Sequence, residues 1–122
     1  MENRFWKLRF GRICEIKATT YLKNHGYRIL KKNHESFAGE IDIIAKKRGW
    51  LVFVEVKALV HSDSFSPQDH FNHQKRKKLL FLGKHFLLKY RKEQNARFDL
   101  IAVVKKGDDY FIEHHENVIE DA

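Results

Sequence analysis

Asp42, Glu55 and Lys57 are the residues of this chain whose types and spacing could do chemistry. Asp42 stands in GEIDIIA among Ile41, Ile43 and Ile44, and Glu55 and Lys57 alternate with Val54 and Val56 in VFVEVK. Three ionisable groups thus interrupt runs that otherwise read as buried sheet. Moving a charge out of water costs several kcal/mol per ion unless a partner compensates, so two carboxylates and an ammonium on central strands point to a bound cation and to chemistry. Strand side chains alternate, which puts Glu55 and Lys57 on one face and Val54 and Val56 on the other. If Asp42 faces the same side of a hairpin, the three groups converge. The plain alternative is an exposed ion pair between Glu55 and Lys57, which leaves Asp42 in its apolar run unexplained.

The elements that must position these groups follow from periodicity. Arg4 to Asn24 reads as a helix, with Phe10, Cys14, Ala18, Tyr21 and Leu22 at helical spacing and Gly26 as its stop. Glu15 lies at the border of that stripe and reads either as a surface carboxylate paired with Arg12 or as a group turned toward the strands. Tyr27 to Lys32 and Gly39 to Lys46 read as strands, Lys47-Arg48-Gly49 as a hairpin turn, and Trp50 to Ala58 as a third strand. Glu40, two residues before Asp42, is an accessory ligand or a solvated residue at a strand mouth. Residues 59–72 hold the only Pro and no sustained periodicity. A connection of that length reads as a lid or partner-binding segment, or as a disordered link.

His73 to Tyr90 reads as a second helix, with Leu79, Leu82, Phe86 and Tyr90 on its buried stripe and Gly83 permitting close approach. Its first turns hold Lys75-Arg76-Lys77-Lys78, the wrong sign for the positive end of a helix dipole. A phosphate held by Lys75, Arg76 and Lys78 would relieve the conflict; a solvated basic face is the alternative. Arg97 to Val104 reads as a strand that pairs with Asp109 to His114 across a turn, and the tail from Glu113 is acidic. The order predicts an α/β sandwich with a mixed sheet covered by helices.

Asp42, a gap of twelve residues, then Glu55-Val56-Lys57 resembles the PD-(D/E)xK nuclease signature without its leading Pro. The words GRICEIKATTYL, GYRILKKN, GEIDIIA, VFVEVK and RFDLIAV are similar to those of the YraN-like family of restriction-endonuclease-like proteins, from about Gly11 to Val104. The resemblance implies one domain over residues 1–122, with an α-β-β-β-α-β core and a mixed central sheet flanked by helices. It implies that Asp42, Glu55 and the Val56 carbonyl bind Mg²⁺ or Mn²⁺, that Lys57 acts beside them, and that Glu15 approaches the centre from the first helix. Cys14 stands where the family pattern G-x-x-G-E-x-x-A has its second Gly, and Leu59 where it often has Arg. Asp99 matches the family's RFD word, although an ion pair with Arg97 explains it equally well. The activity implied is metal-dependent phosphodiester hydrolysis on nucleic acid, DNA ahead of RNA; the alternative is a nucleic-acid-binding module of the same fold without turnover. Likeness to junction-resolving enzymes makes branched DNA and a homodimer attractive.

Composition sets the outer limits. A chain of 122 residues forms one domain, able to bury roughly 65% of its unfolded surface. A single cysteine excludes an internal disulfide and fits a reducing compartment, and MENRFWKLRF lacks a signal peptide's apolar core, so the expected home is the cytoplasm. No apolar stretch approaches the roughly 18 residues of a membrane span. The net charge of +8 suits a polyanionic partner. Eight histidines do not make a zinc site, because His70, His73, His114 and His115 stand in polar stretches with no HExxH, and neither GxxxxGK[ST] nor GxSxG occurs.

Overall fold

Residues 4–90 and 95–119 are described by the computed structural model, with only the backbone of Gln68. The last three residues of the acidic tail lie outside that range. The elements run α1 (Arg4–Asn24), β1 (Arg28–Ser36), β2 (Gly39–Lys47), β3 (Trp50–Val60), α2 (Pro67–His70), α3 (His73–Tyr90), β4 (Asn95–Lys106) and β5 (Asp109–His115). This is the expected α-β-β-β-α-β order, with the expected last strand β5 at its end and one short helix, α2, inserted before α3. The sheet has spatial order β1-β2-β3-β4-β5; β3 and β4 are parallel and every other pair is antiparallel. A parallel pair needs a crossover, and α3 supplies it.

One helix covers each face. Phe10, Cys14, Ala18 and Leu22 of α1 recur every four residues and pack on Ile43, Val52, Val54, Ile101 and Val103. Leu79, Leu82 and Phe86 of α3 pack on Ile44, Leu51, Phe53, Phe98 and Leu100. Cys14 is fully buried, and burial pushes its thiol up to about 11. Gly26 ends α1 at φ +85, with Tyr27 N–H donating to the Leu22 carbonyl at 3.0 Å, the closure that a left-handed residue permits. Arg48 and Gly49, at φ +49 and +82, form the two-residue turn joining β2 to β3.

Gly83 lets α3 approach the sheet. A Cβ there would lie 2.6 Å from Phe98 Cζ and 3.3 Å from Phe53 Cε2, on two rings stacked 5.0 Å apart. Overpacking of this kind costs about 1–3 kcal/mol and the better helix propensity of Ala returns at most about 1. Gly83→Ala should therefore lose up to about 2 kcal/mol, read as a lower denaturant midpoint with unchanged slope. An unchanged midpoint would show that the two rings yield freely.

Two expectations need correction. The first strand runs on to Ser36 rather than ending at Lys32, because His34, Glu35 and Ser36 go on pairing with Ile41, Glu40 and Gly39 of β2 beyond the left-handed Asn33 (φ +51). The connection expected over residues 59–72 is shorter and partly ordered: β3 continues to Val60, whose N–H donates to Asp63 Oδ2 at 2.8 Å. Pro67 then opens a single helical turn, since its fixed φ suits that position.

Candidate active site

The site lies where β2 leaves β3. Their paired register ends at Ile43 opposite Val54, and the next free amide on β3, Val56 N–H, donates instead to Asp42 Oδ2 at 2.8 Å. The cause is local. Ile43 joins the α1-side core and Ile41, two residues earlier, the α3-side core. Strict strand alternation would keep them on one face. The reversal falls at Asp42, opposite the left-handed Asn33, and it brings the carboxylate to the β3 backbone.

Asp42 and Glu55 line one cavity, closed by Phe53, Phe71, Leu79 and Phe98. Burial, with the charges of Glu55, Glu15 and Glu40, pushes the Asp42 carboxyl up to about 7 against the opposing effect of the Val56 amide. Among the described residues Asp42 has no cationic partner. Glu15 also comes to this corner from α1. With its side-chain amide turned to donate, Asn33 Nδ2 lies 3.1 Å from Glu15 Oε1 and 2.7 Å from Glu40 Oε1. Partial burial, then Glu15 and Glu35, raise the Glu40 carboxyl.

Glu55 is held differently. Lys75 Nζ lies 2.9 Å from its Oε1, and His70 Nε2 contacts its Oε2. Lys75 thus meets a carboxylate at the start of α3, where Asn72 Oδ1 also accepts the Lys75 N–H at 2.9 Å. That ion pair offsets part of the charge conflict in the KRKK run. Lys57 borders another cavity, with Asp63, Ser64, Asp69 and His70, the residue that also contacts Glu55. Lys78 runs along Gly39, and Arg76 lines a separate cavity with His115 and Glu116. Arg76 therefore lies apart from Lys75 and Lys78, which share one face of α3.

A second polar cluster surrounds Asp99, which is 1% exposed. Its Oδ1 accepts Arg97 Nε and the Asn117 N–H, each at 3.0 Å, and its Oδ2 lies 2.8 Å from His114 Nε2. His114 Nδ1 lies 3.0 Å from the Tyr21 hydroxyl, and Arg97 also donates to the Tyr27 hydroxyl and to Glu116. Burial alone would raise the Asp99 carboxyl, but the hydrogen bonds from His114, Arg97 and Asn117 hold it below its ordinary value. Asp99, His114 and Glu116 each place a ligand atom within 4.8 Å of the others, the spacing of a candidate metal group. Both Asp99 oxygens are already taken by donors, and Arg97 supplies the cation, so the cluster reads first as a buried ion-pair network. No described trio containing Asp42 or Glu55 closes to 4.8 Å.

Sequence reasoning missed His70 and His114 as members of these clusters. Their only sequence signal was polar company, because both partners lie on other elements.

The sequence profile of the uncharacterised protein family UPF0102 matches residues 14–103. The chain belongs to this family. Similar UPF0102 proteins occur in Persephonella marina, 41% identical over 98 residues that cover 80% of this chain and 84% of that protein. Another, from Thermodesulfovibrio yellowstonii, is 38% identical over 111 residues, covering 91% and 96%. Among solved structures, Pyrococcus furiosus SfsA in complex with Ca²⁺ is similar at a TM-score of 0.35 and 18% identity, over 97% of this chain and 65% of that one. The UPF0102 match begins at Cys14 and so takes in Glu15, Asp42, Glu55 and Lys57, together with the Arg97 and Asp99 pair. No helix among the described residues is long and apolar enough to cross a membrane.

Proposed function

We propose that this UPF0102 chain is a divalent-metal-dependent phosphodiester hydrolase acting on nucleic acid, DNA ahead of RNA. The observation that carries this reading is Asp42: a half-buried carboxylate among other carboxylates, without a cation among the described residues, in the same cavity as Glu55. The donor set fits a hard ion. Two carboxylates and the Val56 carbonyl are oxygen ligands of the kind that Mg²⁺ and Mn²⁺ take, and water would fill the remaining positions. A divalent ion bound there would polarise the scissile phosphate and lower the pKa of the attacking water.

The chain's own groups do the rest. Val56 N–H fixes one Asp42 oxygen and leaves the other for the ion. Lys75 and His70 hold Glu55 in place, and Lys75, beside the Glu55 carboxylate, would also meet a substrate phosphate. Lys57, on the same face of β3 as Glu55, would orient the water or stabilise charge building on the phosphate oxygens. Glu15 and Glu40, bridged by Asn33, add negative potential that favours a cation at Asp42.

The test is a panel of plasmid, junction and single-stranded substrates with Mg²⁺ or Mn²⁺. Lys57→Ala should cut roughly 10²- to 10³-fold more slowly, the usual effect of losing one preorganised electrostatic donor, with its melting curve unchanged. Undiminished cleavage by this variant would remove Lys57 from the mechanism. A second reading, a binding module without turnover, is favoured by the pairing of Glu55 with Lys75 and His70, which meets its charge without an ion. Binding that weakens steeply with salt, with no cutting on any substrate, would establish that reading instead.

A further inference from the structure

One face of α3 leads from the carboxylates to a group of exposed rings. Lys75, Lys78, Phe81 and His85 succeed one another at intervals of three and four residues, so they form a single stripe. Lys75 ends on Glu55, and the stem of Lys78 passes over Gly39, where a Cβ would lie 2.5 Å from its Cε. Beyond it, Phe81 meets Phe37 from the β1–β2 turn, with centroids 5.8 Å apart and planes at 80°, and His85 lies 6.2 Å from each ring. Phe37 is 86% exposed and Phe81 46% exposed, although both are phenylalanines on a charged surface.

The surroundings decide what could cover these rings. α3 has no acidic residue, and Lys77, Lys78 and Lys84 flank the rings. The acidic residues of the hairpin are turned away. His34 packs on Phe86 of α3, so strand alternation sends Glu35, with its cross-strand partner Glu40, to the α1 side. A second copy of this surface would set lysines against lysines. A nucleotide has the complementary chemistry, an aromatic face for the rings and a phosphate for the lysines. The six residues from Lys75 to Phe81 span about 9 Å along the helix, so the rings lie within a nucleotide or two of the carboxylates. Bases inside a continuous duplex have both faces covered and cannot stack there.

We propose that Phe37, Phe81 and His85 form a stacking platform for an unpaired base, with Lys78 on its phosphate, and that the substrate is DNA with a single-stranded segment beside the cleavage point. The location of the cleavage point rests on the hydrolase reading above; the platform itself does not.

The test measures binding of the full chain to single-stranded and duplex oligonucleotides of equal length, each carrying 2-aminopurine. The base should be quenched on binding as a single strand and not as a duplex. Phe37→Ala and Phe81→Ala should each weaken single-strand binding about 5- to 100-fold and abolish the quenching, while Phe37→Trp restores both and duplex binding stays unchanged. Phe37 is too exposed for its loss to unfold the chain, and a melting curve checks this. Equal weakening on both substrates, or none, overturns the platform while leaving the hydrolase reading intact. A fall in particle mass on Phe37→Ala with DNA binding unchanged assigns the rings to an interface between copies, which also overturns it. Stacking that depends on Phe37 without any cleavage supports the platform and defeats the hydrolase. Failure to bind nucleic acid at all overturns both.

Discussion

Asp42→Asn should abolish divalent-dependent cleavage, by about 10³-fold or more, and at the same time make the ion-free protein harder to unfold at pH 8. Both effects have one origin. On folding, the Asp42 carboxyl moves from its ordinary value of 3.8 to about 7, chiefly through burial. A group raised in this way favours the native state while protonated. That contribution is complete below about pH 4 and is lost as the pH climbs through 7. Above that window the ionised carboxylate opposes folding by roughly 4 kcal/mol relative to the neutral acid. Asparagine keeps the shape, and its carbonyl oxygen can accept the Val56 N–H, without the charge.

Melting curves without metal should therefore place Asp42→Asn above the parent at pH 8, by up to about 15 °C, and bring the two together near pH 4. Adding Mn²⁺ should raise the parent, because an ion that binds only the folded chain stabilises it, and leave the variant where it was. A variant that melts below the parent at pH 8 would show that Asp42 contributes to folding as an anion. One that cuts at the parental rate would remove the central residue of the proposed site.

Arg97→Ala is expected to be the most damaging change to the fold outside the apolar core. The guanidinium meets Asp99 at 3.0 Å and also donates to Tyr27 and Glu116, so its removal leaves a carboxylate that is 1% exposed with only His114 and one backbone amide. Breaking one side of a buried pair costs about 3–5 kcal/mol, or roughly 10–20 °C in Tm for a domain of this size. The sign of the pH dependence follows. In the parent, Asp99 is held below its ordinary value, so its stabilising effect is present above about pH 4 and is lost as the pH falls through its lowered value. Without Arg97 burial dominates and the carboxyl protonates more readily, so the deficit should be larger at pH 7 than at pH 4. A deficit that is the same at both pH values would mean that the ion pair contributes nothing and only packing was lost.

Much of this architecture could be read from short stretches. Turn chemistry at Arg48-Gly49, the four-residue stripe from Phe10 to Leu22 and the alternation of Glu55 and Lys57 with Val54 and Val56 are all set by neighbours in the chain. The pairing of Arg97 with Asp99 was legible for the same reason, since residues two apart on a strand share a face. The four consecutive cations of α3 were also visible, but not their separation: Lys75 turns to Glu55, Lys78 to Gly39 and Arg76 to the side of His115.

The amino-acid order by itself determined the succession of the two long helices and five strands and the placing of Asp42, Glu55 and Lys57 on neighbouring strands. Those depend on backbone sterics and hydrophobic period, which act over a few residues. Tertiary structure alone decided that Asn33 and Asp42 reverse the facing of their strands together, that His70 and Lys75 close on Glu55, and that Tyr21 reaches His114 across 93 positions of the chain. Each of these needs groups that are distant in sequence to be brought within hydrogen-bonding range. Burial of the two cores supplies the free energy for that, and periodicity does not specify which distant polar groups will meet.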